Sequence, residues 1–490
     1  VQIIDWGVVV AYALGMLAVG WYYGRKAKSD EDYMLGGRQM RSWMVGLSLF
    51  ASLFSAVSYL AMPGEVIKYG PMLRCGVIAY PFVYLITGWL IIPAFMNLKV
   101  SSAYELLEIK LGPNIRLLAS VLFLVLRLSW MSLIIYICAV KVIVPIMGWA
   151  ESAALWVSMA MGVVTIIYTS SGGLKAVVFT DVVQSFILFS AAILAMFIIG
   201  NNSSSVTSWF SQDWPETWIG WSWLDMDARV SFVPAFASVF CWYVFTAASD
   251  QMAIQRYLST RDVCSARRTL LVTLVFDVLV SILLIILGLA LLSFYEINMA
   301  SVPGGSIAES ADQLFPLFIV EALPVGLTGL AIAGLLAAAM SSLSSGVNSC
   351  SLAISRDFVD RFARSPIADS THLKISKVTS LVVGAVIVLL SLGIGNIRGN
   401  LISLCFKAAN LWVAPLFVPF FFAVFIKGSK EKAVFTATII SSVVAVLISF
   451  SGEIFGNEIS FLWIMPGAFV AGAVSGLVLN FIFKENRNSR

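Results

Sequence analysis

Charge is what this chain has least of. Only 12% of its 490 residues are Asp, Glu, Lys or Arg, and 60% are hydrophobic, whereas soluble domains carry about 25% charged residues. There is one histidine, His372, in a polar stretch, which disfavours histidine-dependent catalysis or metal binding inside a membrane. Six cysteines (Cys75, Cys138, Cys241, Cys264, Cys350, Cys405) have neither paired nor metal-ligand spacing, so neither a disulfide framework nor a zinc site is expected. GxSxG, HExxH and phosphate-loop patterns are absent, which argues against a membrane-embedded enzyme. A net charge of +4 is too small to imply nucleic acid. No linker is long enough for a soluble domain, so residues 1–490 are expected to form a single transmembrane domain.

What is present is apolar sequence in long runs. Windows of about 20 residues fall at 4–24, 42–62, 72–96, 116–146, 152–170, 176–200, 230–249, 268–294, 322–352, 376–394, 399–426, 432–451 and 459–483. These make an all-α polytopic membrane protein of about 13 transmembrane helices. Ile3 to Tyr23 lacks a basic stretch before it and has Arg25-Lys26 after it, which reads as a retained helix rather than a cleaved signal. With the N-terminus outside, 24 of the 31 Lys and Arg residues, Arg256 among them, fall in inside loops and 4, Arg74 among them, in outside loops. By the positive-inside rule the C-terminus is expected in the cytoplasm, and the plasma membrane (the inner membrane of a bacterium) is the expected location. Asn201-Asn202-Ser203-Ser204 matches a glycosylation sequon, a weak pattern. Gly472 and Gly476 form a GxxxG pair suited to close helix packing or a dimer contact; a monomer or weak dimer is expected.

Three polar interruptions stand out in this apolar background. In LLAAAMSSLSSGVNSCS (Leu335 to Ser351), Ser341, Ser342, Ser344, Ser345, Asn348 and Ser349, with Ala338, share an arc of roughly 160° at about 100° per residue. Such a face offers hard oxygen ligands to an alkali cation, or alternatively interhelical hydrogen bonds between small residues. In the second span, Ser52, Ser55 and Ser58 recur every third residue around Ala51 and Phe54. A helix unwound there exposes carbonyls fit to bind an ion or line a cavity; an intact helix would bond its serines back to the preceding turn. Third, Ser171-Gly172-Gly173 precedes Asp181, a carboxylate that needs a cation or several donors if buried. Arg127 lies inside the fourth span, where it either clamps a substrate carboxylate, pairs with an acid, or snorkels. Asp277 and Lys407 are further ionisable groups within spans, with no evident role.

The run from Gly172 through Leu174, Ala176, Val177, Thr180, Asp181 and Gln184 resembles the sodium/solute symporter family. So do Leu323 to Leu330, the AAxMSSLSS run ending at Ser345, and Asp250-Gln251 with Gln255-Arg256-Tyr257. Nearest in motif are the sialic acid and the monocarboxylate, iodide and multivitamin transporters. The resemblance implies a LeuT-type 5+5 inverted repeat, with residues 42–200 against 230–426, one helix (4–24) before and two (432–483) after. It implies one or two Na+ ions. The common sodium site maps to the carbonyls of Ala51, Phe54 and Ala338 and the hydroxyls of Ser341 and Ser342. A second site maps to Asp181, Ser341, Ser344 and Ser345. Ser55 and Ser58 match substrate-contacting positions, while the arginine that holds the carboxylate in sialic acid transporters aligns nearer Trp130, one turn beyond Arg127. Tyr80, Arg127, Trp130, Trp242, Tyr243 and Thr246 complete the expected substrate pocket, with Ala247-Ala248-Ser249 the soft point of the seventh span. The implied function is sodium-coupled import, by alternating access, of a small organic solute, most often an anion such as a sialic acid or monocarboxylate. A neutral sugar is the alternative.

Overall fold

The computed structural model describes all residues except 99, 203–205, 211–213, 219, 225–229, 300–301, 364, 366, 395–400, 458 and 484–490. The second half of the sequon, the basic tail (Lys484, Arg487, Arg490), Lys99, Arg229, Arg364 and Arg398 therefore lie outside the described residues. Helices account for the architecture, and no strand occurs among the described residues. In chain order they are α1 (Ile3–Lys26), α2 (Ser42–Leu53), α3 (Ala56–Tyr69), α4 (Pro71–Leu98), α5 (Pro113–Met147), α6 (Ala153–Asn202), α7 (Phe232–Ser249), α8 (Gln251–Leu258), α9 (Val263–Ile297), α10 (Ile307–Glu321), α11 (Leu327–Ala353), α12 (Asp369–Gly393), α13 (Leu401–Phe425), α14 (Glu431–Ser449) and α15 (Ile464–Ile482).

Ten of these helical stretches are long and apolar enough to cross a bilayer, or eleven when α2 and α3 count as one bent crossing. The expected thirteen spans differ from this count at two places. The fifth and sixth expected spans both fall within α6, which is two helices joined at Gly173. The eleventh expected span coincides with α13, Leu401–Phe425. Gly173 adopts φ +62°, where an L side chain is disfavoured, and a Cβ there would also strike the Tyr33 carbonyl.

Two helices deliver the polar faces. α11 is buried almost throughout, packed on α6. Its amino end lacks a side-chain cap of its own; instead Asp5 of α1 accepts from Gly326 N (2.7 Å) and Gly329 N (2.9 Å), which satisfies donors that a helix start leaves open. α2 packs on α9 and α6. The glycine pair of α15 faces its own chain: a Cβ on Gly472 would meet Val418 and Ser441, and one on Gly476 would meet Phe422 and Ala437. That pair serves packing against α13 and α14.

Candidate functional site

The second span is broken. α2 stops at Leu53, Phe54 (φ −91°, ψ 111°) and Ser55 (φ −93°, ψ 162°) are extended, and α3 leaves at 64° to α2. Ser55 forms the amino cap of α3, its hydroxyl accepting from Ser58 N at 3.2 Å. A helix end leaves its last four carbonyls without partners, and here that end is buried. α11 answers it with hydroxyls: Ser341 Oγ donates to Ala51 O (2.9 Å) and Ala338 O (3.1 Å), and Ser342 Oγ donates to Ser52 O (3.3 Å). Four of the five oxygens expected at the common site thus lie on two helices in direct hydrogen-bond contact, and the fifth, Phe54 O, sits at the break itself. All are neutral, and Ser341 and Ser342 are completely buried.

Beside this seam lies a buried ion pair. Asp181 Oδ2 accepts from Ser48 Oγ (2.5 Å), Ser345 Oγ (3.3 Å), Ser52 Oγ (3.4 Å) and Arg256 Nη2 (3.2 Å). Arg256 also donates to Ser345 Oγ (2.5 Å), Ser52 Oγ (2.7 Å) and Ser48 Oγ (3.1 Å). Both charges are fully buried. The loop count placed Arg256 at the inside surface; the structure corrects this, because α8 turns the side chain into the bundle. Its signal in the sequence was the spacing Asp250-Gln251…Gln255-Arg256, four buried polar residues on a short helix and its cap. The other oxygen, Asp181 Oδ1, is buried with no partner. Ser344 turns back to donate to Ser341 O (3.0 Å).

A cavity of about 170 Å³ opens against the break, lined by Leu53, Phe54 and Ser58 and by α4, α7, α9 and α13. Of the expected substrate residues, Ser58, Tyr80, Trp130, Trp242 and Tyr243 line it. Tyr80 and Tyr243 meet edge to face, with ring centroids 4.8 Å apart. Ser55, Arg127 and Thr246 are not in its lining. Arg127 instead pairs with Asp250, which is extended (φ −84°, ψ 120°) between α7 and α8 and caps α8 by accepting from Met252 N at 2.8 Å. The seventh span therefore breaks one residue beyond Ala247-Ala248-Ser249, and of the three readings of Arg127 the geometry is that of a buried ion pair. Two charged residues in the lining had no assigned part. Arg74, at the start of α4, stands 3.9 Å from Asp277, and Tyr80 OH donates to the same carboxylate oxygen.

A model of the sodium:solute symporter family matches residues 33–451. The chain belongs to that family. The symporter is 31% identical over 389 residues to a sodium/sialic acid symporter of Proteus mirabilis, covering 78% of this chain and 76% of that protein. It is 28% identical over 426 residues to sodium-coupled monocarboxylate transporter 1 of Xenopus laevis, covering 84% of this chain and 66% of that one. A solved structure described as the substrate-bound outward-open state of a Na+-coupled sialic acid symporter matches its fold, with a TM-score of 0.86 at 24% identity, over 100% of this chain and 99% of the other. The symporter is thus a multi-pass membrane transporter with the LeuT-type fold, and not an enzyme.

Proposed function

We propose that the symporter couples one sodium ion at the α2–α11 seam, and a second beside Asp181, to the inward movement of a small organic anion. The single observation that carries this is the pairing of Ser341 and Ser342 hydroxyls with Ala51 and Ser52 carbonyls at a buried helix break. Hydroxyls rotate freely, so the same oxygens that now hydrogen-bond across the seam can turn their lone pairs to an ion placed between them. Neutral oxygens suit a monovalent ion that must leave again; calcium or magnesium would gather more carboxylates. Phe54, Ala338 and the two serines complete the first ion's shell. For the second, the unpartnered Asp181 Oδ1 is the free acceptor, with Ser341, Ser344 and Ser345 nearby on α11. Arg256 already neutralises this carboxylate, so a second ion here is held weakly.

Residues 42–200 and 230–426 serve as the two inverted halves, and the cavity beside the break receives the solute. Sodium binding favours the state in which that cavity faces outward, so coupling is a difference in affinity between two states. The relatives named for acidic solutes favour an anion over a neutral sugar. The loop charges favour an outside N-terminus and a cytoplasmic C-terminus. The test is uptake into proteoliposomes of labelled N-acetylneuraminate, lactate and glucose, driven by an inward sodium gradient or by an equal potassium gradient. Sodium-specific, saturable uptake of an acid is expected; sodium flux without solute would mark a channel and defeat the proposal.

A further inference from the structure

We propose that Arg74, rather than Arg127, receives the carboxylate of the transported solute, and that the cavity takes a small monocarboxylate with an apolar or aromatic body. This deepens the function proposed above and rests on it. Arg74 has unused donor capacity: its Nε is buried without a partner, and its Nη1 lies 3.9 Å from Asp277 Oδ2, too far for a hydrogen bond. Asp277 is already engaged by Tyr80 OH. Asn410, only 1% exposed, lines the same cavity with its Nδ2 also unpartnered. The buried unpartnered side-chain atoms in the described lining that could meet a solute carboxylate are thus both donors, Arg74 Nε and Asn410 Nδ2. A carboxylate brings two oxygens and about four lone pairs, and its bonds to a guanidinium are roughly twice as strong as those of a neutral hydroxyl.

Charge leads to the same solute. Arg74 and Asp277 sum to zero, so a bound anion leaves the cavity with one negative charge in a low-dielectric interior. A sodium ion at the adjoining break, where Phe54 belongs to both sites, restores neutrality. Ion and anion then each raise the other's affinity. Size narrows the class. The cavity's 170 Å³ slightly exceeds the ~150 Å³ of an engineered cavity that holds benzene. Trp130 and Trp242 supply flat apolar walls, whereas a multiply hydroxylated acid would need many more polar partners.

The experiment is benzoate binding to purified symporter, followed by tryptophan fluorescence in sodium and in potassium, with sodium-induced thermal stabilisation as the check of folding. Wild type should bind benzoate only in sodium. Arg74→Gln, or the neutral pair Arg74→Gln with Asp277→Asn, should keep the sodium-induced stabilisation and bind benzoate at least ~10-fold more weakly. Benzoate affinity within about twofold of wild type in either stabilised variant overturns the proposal. On wild-type protein, which avoids any folding defect, benzoate with sodium should protect Arg74 from phenylglyoxal several-fold by peptide mass spectrometry; equal labelling overturns it too. Sodium-dependent binding of N-acetylneuraminate but not benzoate leaves the symport standing and defeats this assignment of the cavity. If no acid binds and sodium gives no stabilisation, the symport reading itself falls.

Discussion

Replacing Ser341 by alanine removes one hydroxyl with two consequences of different size. Without sodium, Ala51 O and Ala338 O lose the donor that sits 2.9 and 3.1 Å away. An acceptor left unsatisfied in a buried site costs about 1–3 kcal/mol, so the sodium-free protein should melt earlier. With sodium, the ion loses one of its ligands, and a hydrogen-bond-strength contact to a charge is worth about 1.5–3 kcal/mol. Half-maximal sodium should therefore rise roughly 10- to 150-fold. The two effects separate in a sodium titration of the melting temperature. Stabilisation by an ion at 100 times its dissociation constant is about 2.7 kcal/mol, and a tenfold weaker site leaves about 1.4 kcal/mol at the same concentration. Ser132→Ala is the control, because Ser132 is also buried but bonds to Leu128 O (2.7 Å) and Ile387 O (3.1 Å). It should lower the melting curve and leave the sodium dependence alone. If Ser341→Ala and Ser132→Ala lose stability alike with unchanged half-maximal sodium, the α2–α11 seam is a packing contact and not an ion site.

Three further perturbations have expected outcomes. Asp181→Asn strips the fully buried Arg256 of its carboxylate, which should cost about 3–5 kcal/mol and reduce the sodium dependence of uptake to that of a single ion; an unaltered sigmoid curve would remove Asp181 from the second site. Arg127→Ala and Asp250→Ala should each destabilise by about 3–5 kcal/mol, the double variant by much less than their sum, as read by denaturation; additive losses would mean that the pair is not coupled. In the connection between α4 and α5, burial raises the Glu108 carboxyl, but hydrogen bonds and charge from Arg116 (2.5 Å) and Arg361 (2.9 Å) outweigh it and hold the group below the ordinary 4.5. A depressed carboxylate stabilises above its unfolded value and loses that contribution as pH falls through the folded one. Melting temperature should thus drop below pH ~4.5 more steeply in wild type than in Glu108→Gln; parallel curves would show that the cluster contributes nothing.

The parts of this molecule that could be read from sequence were those with a local signature. Apolar run length gives the spans, and the serine arc of α11 follows from helical periodicity alone. The break at Phe54-Ser55 was one of two readings of a serine every third residue. What decides it is tertiary: Ser341 and Ser342 arrive from almost three hundred residues away to satisfy Ala51 and Ser52. Arg256 and Arg74 were misplaced for a common reason. Counting basic residues by loop assumes that a charge near a span end faces water. Yet α8 is buried along its length and Arg74, near the start of α4, lines the cavity, so neither guanidinium lies in an open loop. For Arg127 the sequence showed a buried cation but not its partner, since Asp250 lies 123 positions away.

Helix α2 joins these pieces through its hydrogen bonds. Its carbonyls at Ala51 and Ser52 meet the hydroxyls of α11, while one turn earlier its Ser48, together with Ser52, holds Asp181 and Arg256. Ser345 closes the loop from α11 by bonding Ser52 Oγ at 2.7 Å. Any displacement of α2 against α11 must then break the neutral contacts and the charged cluster together, because Ser52 belongs to both. Breaking either alone would leave a buried polar group unsatisfied, so intermediate positions are disfavoured. An ion at the proposed site in the seam would add its binding energy to one arrangement. Its departure would then be felt at Phe54, which also lines the cavity.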